Sequence, residues 1–202
     1  MRLCVTGPMA AGKNAASEIL ESKGFAAIDA DIVAHAAVDN ARDDIVQAFG
    51  SIAKEKKIEL LTADGTINRR ALGSIVFSNK TLIEKQESIV YPEINRLLEQ
   101  FIQQHGNANV VINATVLYKV PLIHKMDRIL YIDSPAVLRF LRAKKRDGMK
   151  AIHILARFKM QHNLFTKYKK ANADTRRVWN IGSREQLEKK IDCFLAESRS
   201  RG

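Results

Sequence analysis

The sequence predicts an α/β protein with a five-stranded parallel sheet between helical layers, and three observations carry that prediction. Five short apolar runs end in small or acidic residues, amphipathic segments of helical period lie between them, and a glycine-rich turn joins the first run to the first such segment. Runs of that kind suit strands buried on both faces, and their alternation with helices marks a parallel sheet wrapped on both sides. With 202 residues, 46% of them hydrophobic, the chain can bury one substantial core but is short for two independent domains. A single domain over 1–202 with inserted subregions is expected.

The first strand is expected over Arg2 to Gly7 (RLCVTG) and the first helix over Asn14 to Ser22. The second strand follows at Phe25 to Asp31 (FAAIDAD). From Ile32 to Asn109 the pattern is mainly helical, with a turn at Asp64-Gly65 and a helix over Leu82 to His105. A break is expected at Pro92, because proline has no N–H to continue the helical ladder. Strands three and four are Val110 to Ala114 (VVINA) and Arg128 to Asp133 (RILYID). A helix over Ala136 to Lys145 opens a basic segment, and strand five at Val178 to Asn180 precedes a last helix over Arg184 to Ser198. The core is accordingly expected at about 1–31, 106–134 and 171–202, with a helical region at about 32–105 and a basic segment at about 135–170. Long insertions in compact domains are often functional. The first is expected to bind an acceptor substrate and the second to act as a mobile lid over phosphates. No internal repeat or low-complexity stretch is present.

The formal net charge of +11 is concentrated. Between Arg139 and Arg177 thirteen basic residues face only Asp147 and Asp174, so one segment carries the whole excess. Such density suits a polyphosphate cover, a solvated helix face or a nucleic-acid surface. Phe140, Phe158 and Phe165 are spaced as in an amphipathic helix rather than a stacking platform, which favours the cover over a nucleic-acid partner. No stretch approaches the roughly 20 apolar residues of a membrane span, and the opening residues lack the pattern of a signal peptide. Cys4, in an apolar strand, and Cys193 are the only cysteines, too few for a disulfide framework. A cytoplasmic protein, monomeric or weakly homo-oligomeric and without a membrane partner, is expected.

The strongest motif is Gly7-Pro8-Met9-Ala10-Ala11-Gly12-Lys13-Asn14, running into Ala15. It reads G-x-x-x-x-G-K between a strand and a helix, the context a phosphate-binding loop requires. The three-layer architecture is therefore expected to be of the P-loop NTPase type. Gly7 and Gly12 allow backbone geometry that turns successive N–H groups toward phosphate oxygens, and the helix start adds its positive end. Lys13 is placed to reach the β- and γ-phosphates of ATP. Asn14 stands where the pattern expects Ser or Thr, whose hydroxyl ligates Mg²⁺; an amide oxygen is a weaker substitute ligand. In Ile28-Asp29-Ala30-Asp31, strand alternation sets both acids on one side at the ligand end of the sheet. Asp31 there suits a base for an attacking hydroxyl, or a holder of metal-bound water, or simply a helix N-cap. His35, His124 and His162 have no metal-ligand spacing, so no zinc site is expected.

GPMAAGKN at 7–14, IDADIVAH at Ile28 to His35, DGTINRRAL at Asp64 to Leu72 with Val76-Phe77, Tyr91-Pro92, LRAKKRD at Leu141 to Asp147, Gln161, Ala173-Asp174 and Asn180-Ile181-Gly182 follow one another in this chain. In that order they resemble the dephospho-coenzyme A kinase family over most of the chain. The resemblance implies transfer of the ATP γ-phosphate, with Mg²⁺, to the 3′-hydroxyl of the ribose in dephospho-coenzyme A. It implies Asp31 as base, with Lys13 and Arg142 at the transferring phosphoryl. Arg146 would join the phosphate loop in binding ATP, with Asn180 and Gly182 beside the adenine. Asp31, Arg69, Phe77, Tyr91 and Gln161 would serve the acceptor. Planar guanidinium groups suit phosphoryl oxygens. Three places depart from the family pattern: Asn14; Tyr91, where His usually precedes Pro; and Asn113 to Lys119, where many members carry an acid or a Pro-Leu-Leu ending in Glu. The same loop, acid and basic segment would also suit another nucleotide or nucleoside kinase, or a non-catalytic ATP- or nucleic-acid-binding relative.

Overall fold

β1 (Arg2–Thr6), β2 (Ala26–Asp29), β3 (Val110–Asn113), β4 (Arg128–Asp133) and β5 (Thr175–Trp179) form one sheet in the order β2-β3-β1-β4-β5, each neighbouring pair parallel. The computed structural model describes residues 1–172 and 174–199; Ala173, quoted above with Asp174, and residues 200–202 of the expected core lie outside them. The helices are α1 (Lys13–Ser22), α2 (Ala30–Asn40), α3 (Arg42–Glu55), α4 (Arg69–Val76), α5 (Lys80–Gln104), α6 (Ala136–Asp147), α7 (Ala151–Met160), α8 (Leu164–Ala171) and α9 (Arg184–Arg199). Short 3₁₀ turns at Leu117–Lys119 and Pro121–Lys125 separate β3 from β4. The chain separates into two compact units, one of Met1–Asp29 with Ile102–Gly202 and one of Ala30–Phe101.

In the first unit the chain adds β2 and β3 on one side of β1, then β4 and β5 on the other, so β1 stands where the order reverses. Register sets Asp29 beside Asn113, Asn113 beside Val5, and Thr6 beside Tyr131. The carboxyl ends of these strands are therefore nearly level, at the crevice where such sheets bind ligands. Leu3, Val5, Val111, Leu130 and Ile132 pack with Ala16, Ile19 and Leu20 of α1 and with Leu187, Ile191 and Phe194 of α9. By strand alternation Cys4 and Thr6 take the other face. Burial pushes the Cys4 thiol far up. Tyr168 of α8 is fully buried; its hydroxyl accepts the Leu117 N–H at 2.9 Å and donates to the Ala114 carbonyl at 3.2 Å. Arg128, also buried, joins Asp174 at 2.8 Å and the Phe194 carbonyl at 3.0 Å, which ties β4 to α9.

Three expectations are corrected. β2 ends at Asp29, not Asp31, because β3 ends at Asn113 and offers no further backbone partner. Asp31 instead lies in the first turn of α2, where an acid suits the positive helix end. β5 begins at Thr175 and releases Asn180. This edge strand escapes apolar pattern reading because its pairing residues include arginines, and Arg177 lays its guanidinium over the Phe165 ring at 3.8 Å. Pro92 does not break α5, which runs through it. Val90, Ile94 and Leu98 on either side are buried, and that burial exceeds the roughly 3 kcal/mol a helix-interior proline costs.

In the second unit the turn at Asp64-Gly65 is closed by a bridge between Leu61 and Ile67, with Gly65 at φ 81°. Asn68 caps α4 by accepting the Ala71 N–H at 3.1 Å. Ile45, Phe49, Leu72 and Ile75 are fully buried or nearly so. Glu93 accepts two bonds from Arg96, at 2.6 and 2.7 Å, and one from the Asn40 amide at 2.6 Å. The Arg96 guanidinium, with Asn40 in support, holds the Glu93 carboxyl down to about 2 from an ordinary 4.5. A group depressed on folding stabilises the protein above its unfolded value, and that contribution disappears as pH falls through the folded one. Glu93→Gln is therefore expected to cost about 1 kcal/mol at pH 7, since Arg96 is exposed, and nothing near pH 2. Urea unfolding at both pH values checks this, and an equal cost at each would contradict it.

Candidate active site

The loop of Gly7 to Asn14 joins β1 to α1, and its conformation depends on two glycines. Gly7 lies at φ 149°, and a Cβ there would stand 2.0 Å from the Ile132 carbonyl oxygen. Gly12, the N-cap of α1, lies at φ 105°, with a Cβ position 2.2 Å from the Asn180 amide nitrogen. The Ala11 N–H closes the turn on the Pro8 carbonyl at 3.1 Å. Pro8 and Met9 are buried, Ala10 and Ala15 half-buried. Lys13 begins α1, so the first N–H groups of that helix, which have no partner within it, open beside the loop. An anion is the natural ligand of such a nest.

The ends of β4 and β5 brace the loop. Asn180 donates its amide to the Ala11 carbonyl at 2.8 Å and its own N–H to the Asp133 carbonyl at 2.7 Å. Gly182, two residues on, is exposed. Arg142 of α6 points both terminal nitrogens at the Asn180 carbonyl, each at 3.3 Å, and one at the Ser134 hydroxyl at 3.2 Å. Arg139 donates to the Ser134 carbonyl at 3.0 Å and stacks on Phe158 at 4.2 Å; burial lowers its pKa. Sequence reading overlooked Ser134 and Arg139, although both flank the end of a strand followed by basic residues. Arg146 is exposed on the last turn of α6.

The basic helices also meet the loop directly. Met9, Ala143 and Ile154 form a small apolar cluster, supported by Ala10, Phe140, Met149 and Phe158. Gln161, expected at the acceptor, accepts the Met9 N–H at 2.8 Å. It sits just past the end of α7, where a helix stop turns its side chain onto the loop. The remaining acceptor residues belong to the second unit. Asp31 begins α2, and Arg69 pairs with Asp39. Phe77 is 73% exposed, and the Tyr91 hydroxyl bonds Glu87 at 3.0 Å.

At the helix start, Asn113 donates its amide to Asn14 Oδ1 at 3.0 Å and to Asp29 Oδ2 at 3.1 Å. Among the described residues no group of three or more His, Cys, Asp or Glu could hold a metal ion. The Asn14 amide oxygen and the Asp29 carboxylate, both held by the Asn113 NH₂, are oxygen donors of the kind Mg²⁺ takes. The buried Asn113 Oδ1, at the other end of that amide, has no hydrogen-bond partner among the described residues.

A glycine-held loop at the start of a helix, set at the reversal point of a five-stranded parallel sheet under an arginine-bearing cover, defines a P-loop kinase. The dephospho-CoA kinase family profile matches residues 1–178. A dephospho-CoA kinase of Treponema denticola is 36% identical, the match covering 98% of this chain and 89% of that one. Among solved structures, one from Thermus thermophilus superposes with a TM-score of 0.80 at 26% identity, over 98% of this chain and 97% of that chain. A dephospho-CoA kinase from Campylobacter jejuni gives 0.64 at 26% identity, over 97% and 96%. The chain belongs to the dephospho-CoA kinase family, and ATP is the nucleotide that family uses.

Proposed function

We propose that the protein transfers the γ-phosphoryl group of ATP to the 3′-hydroxyl of dephospho-coenzyme A, releasing coenzyme A and ADP. The observation that carries the reading is the phosphate loop, pinned by Gln161 and by Asn180 just past β5, whose carbonyl Arg142 contacts, in a chain of this family. The loop N–H groups from Gly7 to Asn14 and the α1 N-terminus hold the ATP phosphates, with Lys13 spreading the charge that moves during transfer. Arg142 and Arg146 belong to a lid formed by about 135–170, and a guanidinium there stabilises the oxygens of the transferring group. Asn180 and Gly182 flank the adenine. The helical region of about 32–105 takes the acceptor, with Arg69 toward its phosphates and Phe77 and Tyr91 offering apolar and aromatic surface. Gln161, which accepts the Met9 N–H, joins the lid to the loop and serves the acceptor.

Asp31 is the base that accepts the proton of the attacking hydroxyl. Mg²⁺ would neutralise the phosphate charge when bound; Asn14 and Asp29 would hold it, with Asp31 acting through a water. The setting is the cytoplasm, where ATP is supplied, and the protein acts as a monomer or weak homo-oligomer without a membrane or nucleic-acid partner. No described helix is long and apolar enough to cross a membrane.

ADP formation with Mg²⁺ should rise at least tenfold on adding dephospho-coenzyme A, with coenzyme A as the product. Adenosine and nucleoside monophosphates should leave it at the rate seen without acceptor. Equal stimulation by a nucleoside monophosphate would move the protein to another kinase specificity, and ATP binding without turnover on any acceptor would overturn the enzymatic reading.

A further inference from the structure

Met9 lies in the phosphate loop, yet it is only 7% exposed, and the basic helices are what bury it. Its side chain packs on Ala143 of α6 and Ile154 of α7, with Phe140, Met149 and Phe158 around them. Gln161 Oε1 accepts its N–H at 2.8 Å, and its Sδ lies 3.7 Å from Arg157 Nη1. The sulfur contact is the weak one, since a thioether is a poor acceptor. Ile154, Arg157, Phe158 and Gln161 follow the i, i+3, i+4, i+7 spacing of one helix face. One face of α7, up to the stop at Gln161, thus meets a single loop residue. Phe140 and Ala143, three apart on α6, meet it from the other side.

The two helices have little interior apart from this contact. Among the described residues, Ala143 and Ile154 are the only buried ones of α6 and α7, each at 0% exposure. Neither belongs to the main apolar core that joins the sheet to α1 and α9. A side chain of the loop therefore completes the apolar interior of the basic helices. Charged groups stand directly beside it. Arg142 adjoins Ala143 in the chain and reaches the Asn180 carbonyl, and Arg139 stacks on Phe158 at 4.2 Å. A helix fixed at Ala143 has its rotation fixed as well, and with it the direction in which Arg142 leaves the helix.

We propose that Met9 is a positioning residue: its side chain and its N–H form the joint that seats α6 and α7 on the phosphate loop, and so set where the guanidinium groups of those helices meet the nucleotide phosphates. Met9 is not among the residues of positive φ, so alanine or leucine there keeps the backbone of the nest. Without the side chain the loop would still hold phosphate, but its cover would be loosely placed. Displacing positioned groups by about 1 Å costs on the order of 10²-fold in rate. The proposal rests on reading about 135–170 as a lid over ATP, and not on the identity of the acceptor.

The test compares Met9→Ala and Met9→Leu with the parent. Amide hydrogen exchange is followed by mass spectrometry in the complex with ATP and Mg²⁺, without acceptor. Met9→Ala is expected to exchange about tenfold faster across 136–161 while β1, β3 and β4 keep the parental rate, a local opening rather than a global one. Met9→Leu refills the volume and should return to within about threefold of the parent. Turnover with dephospho-coenzyme A, counted per ATP-binding site, is expected to fall about 30-fold in kcat for Met9→Ala with KM for ATP within about threefold, and to recover to within about fivefold in Met9→Leu. A methionine with a merely structural role would speed exchange in the strands too and would not separate kcat from KM. Parental exchange across 136–161, or faster exchange spread through the sheet, would overturn the proposal, as would a parental kcat in Met9→Ala. If Met9→Ala does not fold, Ile154→Ala removes the same contact from the lid side: the same local exchange and loss of kcat support the proposal, and parental values overturn it. A parent protein that binds no ATP would overturn both this proposal and the nucleotide reading. A parent that binds ATP but turns over no dephospho-coenzyme A would overturn the acceptor reading alone, and the exchange comparison would still decide the joint.

Discussion

Lys13→Ala is expected to lower turnover with ATP and dephospho-coenzyme A by about 10³-fold, the upper range for losing one preorganised group at a developing charge. Lys13 is the first residue of α1, directly after Gly12, whose left-handed backbone leaves room for the Asn180 amide. Its ammonium therefore acts from the same helix start that offers N–H groups to the phosphates, and alanine removes that cation while sparing the backbone of the nest. Alanine also propagates helices better than lysine, so the thermal midpoint should hold. Coupled assay of ADP release reads the effect. Turnover within tenfold of the parent would remove Lys13 from the transfer step.

The second large effect is expected at Asp31. Asp31→Asn should reduce turnover by about 10²–10⁴-fold, as loss of a general base does, with ATP affinity within about threefold of the parent. The residue begins α2, two positions after the last residue of β2. That placement leaves two accounts of the same carboxylate, a base for the acceptor hydroxyl or an acid that complements a helix N-terminus. The second is worth only about 0.3–1 kcal/mol of stability and predicts no loss of turnover. A variant that keeps full turnover but unfolds slightly earlier would return Asp31 to the structural role. Asp29→Asn is the informative companion. Asp29 bonds Asn113, so its loss is expected to change the metal dependence before it changes proton transfer.

Much of this was legible in residue order because the signals are local. The phosphate loop needs two glycines and a lysine at fixed spacing between a strand and a helix, and all three lie within Gly7 to Lys13. The five strands were visible where burial on both faces makes the run apolar, as in Val110 to Asn113. The edge strand β5 was misjudged at its start for the converse reason: it pairs on one side only, and its exposed positions tolerate Arg176 and Arg177. The continuity of α5 through Pro92 was hidden as well, since proline's local cost is in the sequence while the burial of Val90, Ile94 and Leu98 that offsets it is not.

Sequence alone thus determined the architecture, the place of the glycine-rich loop between strand and helix, and the family to which the residues point. The tertiary structure decided which distant side chains share a site. Nothing in the chain order says that Asn180 reaches the Ala11 carbonyl, that Gln161 takes the Met9 N–H, or that Asn14 and Asn113 answer each other across Asp29. Those meetings depend on strand register and on where helices stop, which are properties of the packed sheet rather than of any local stretch.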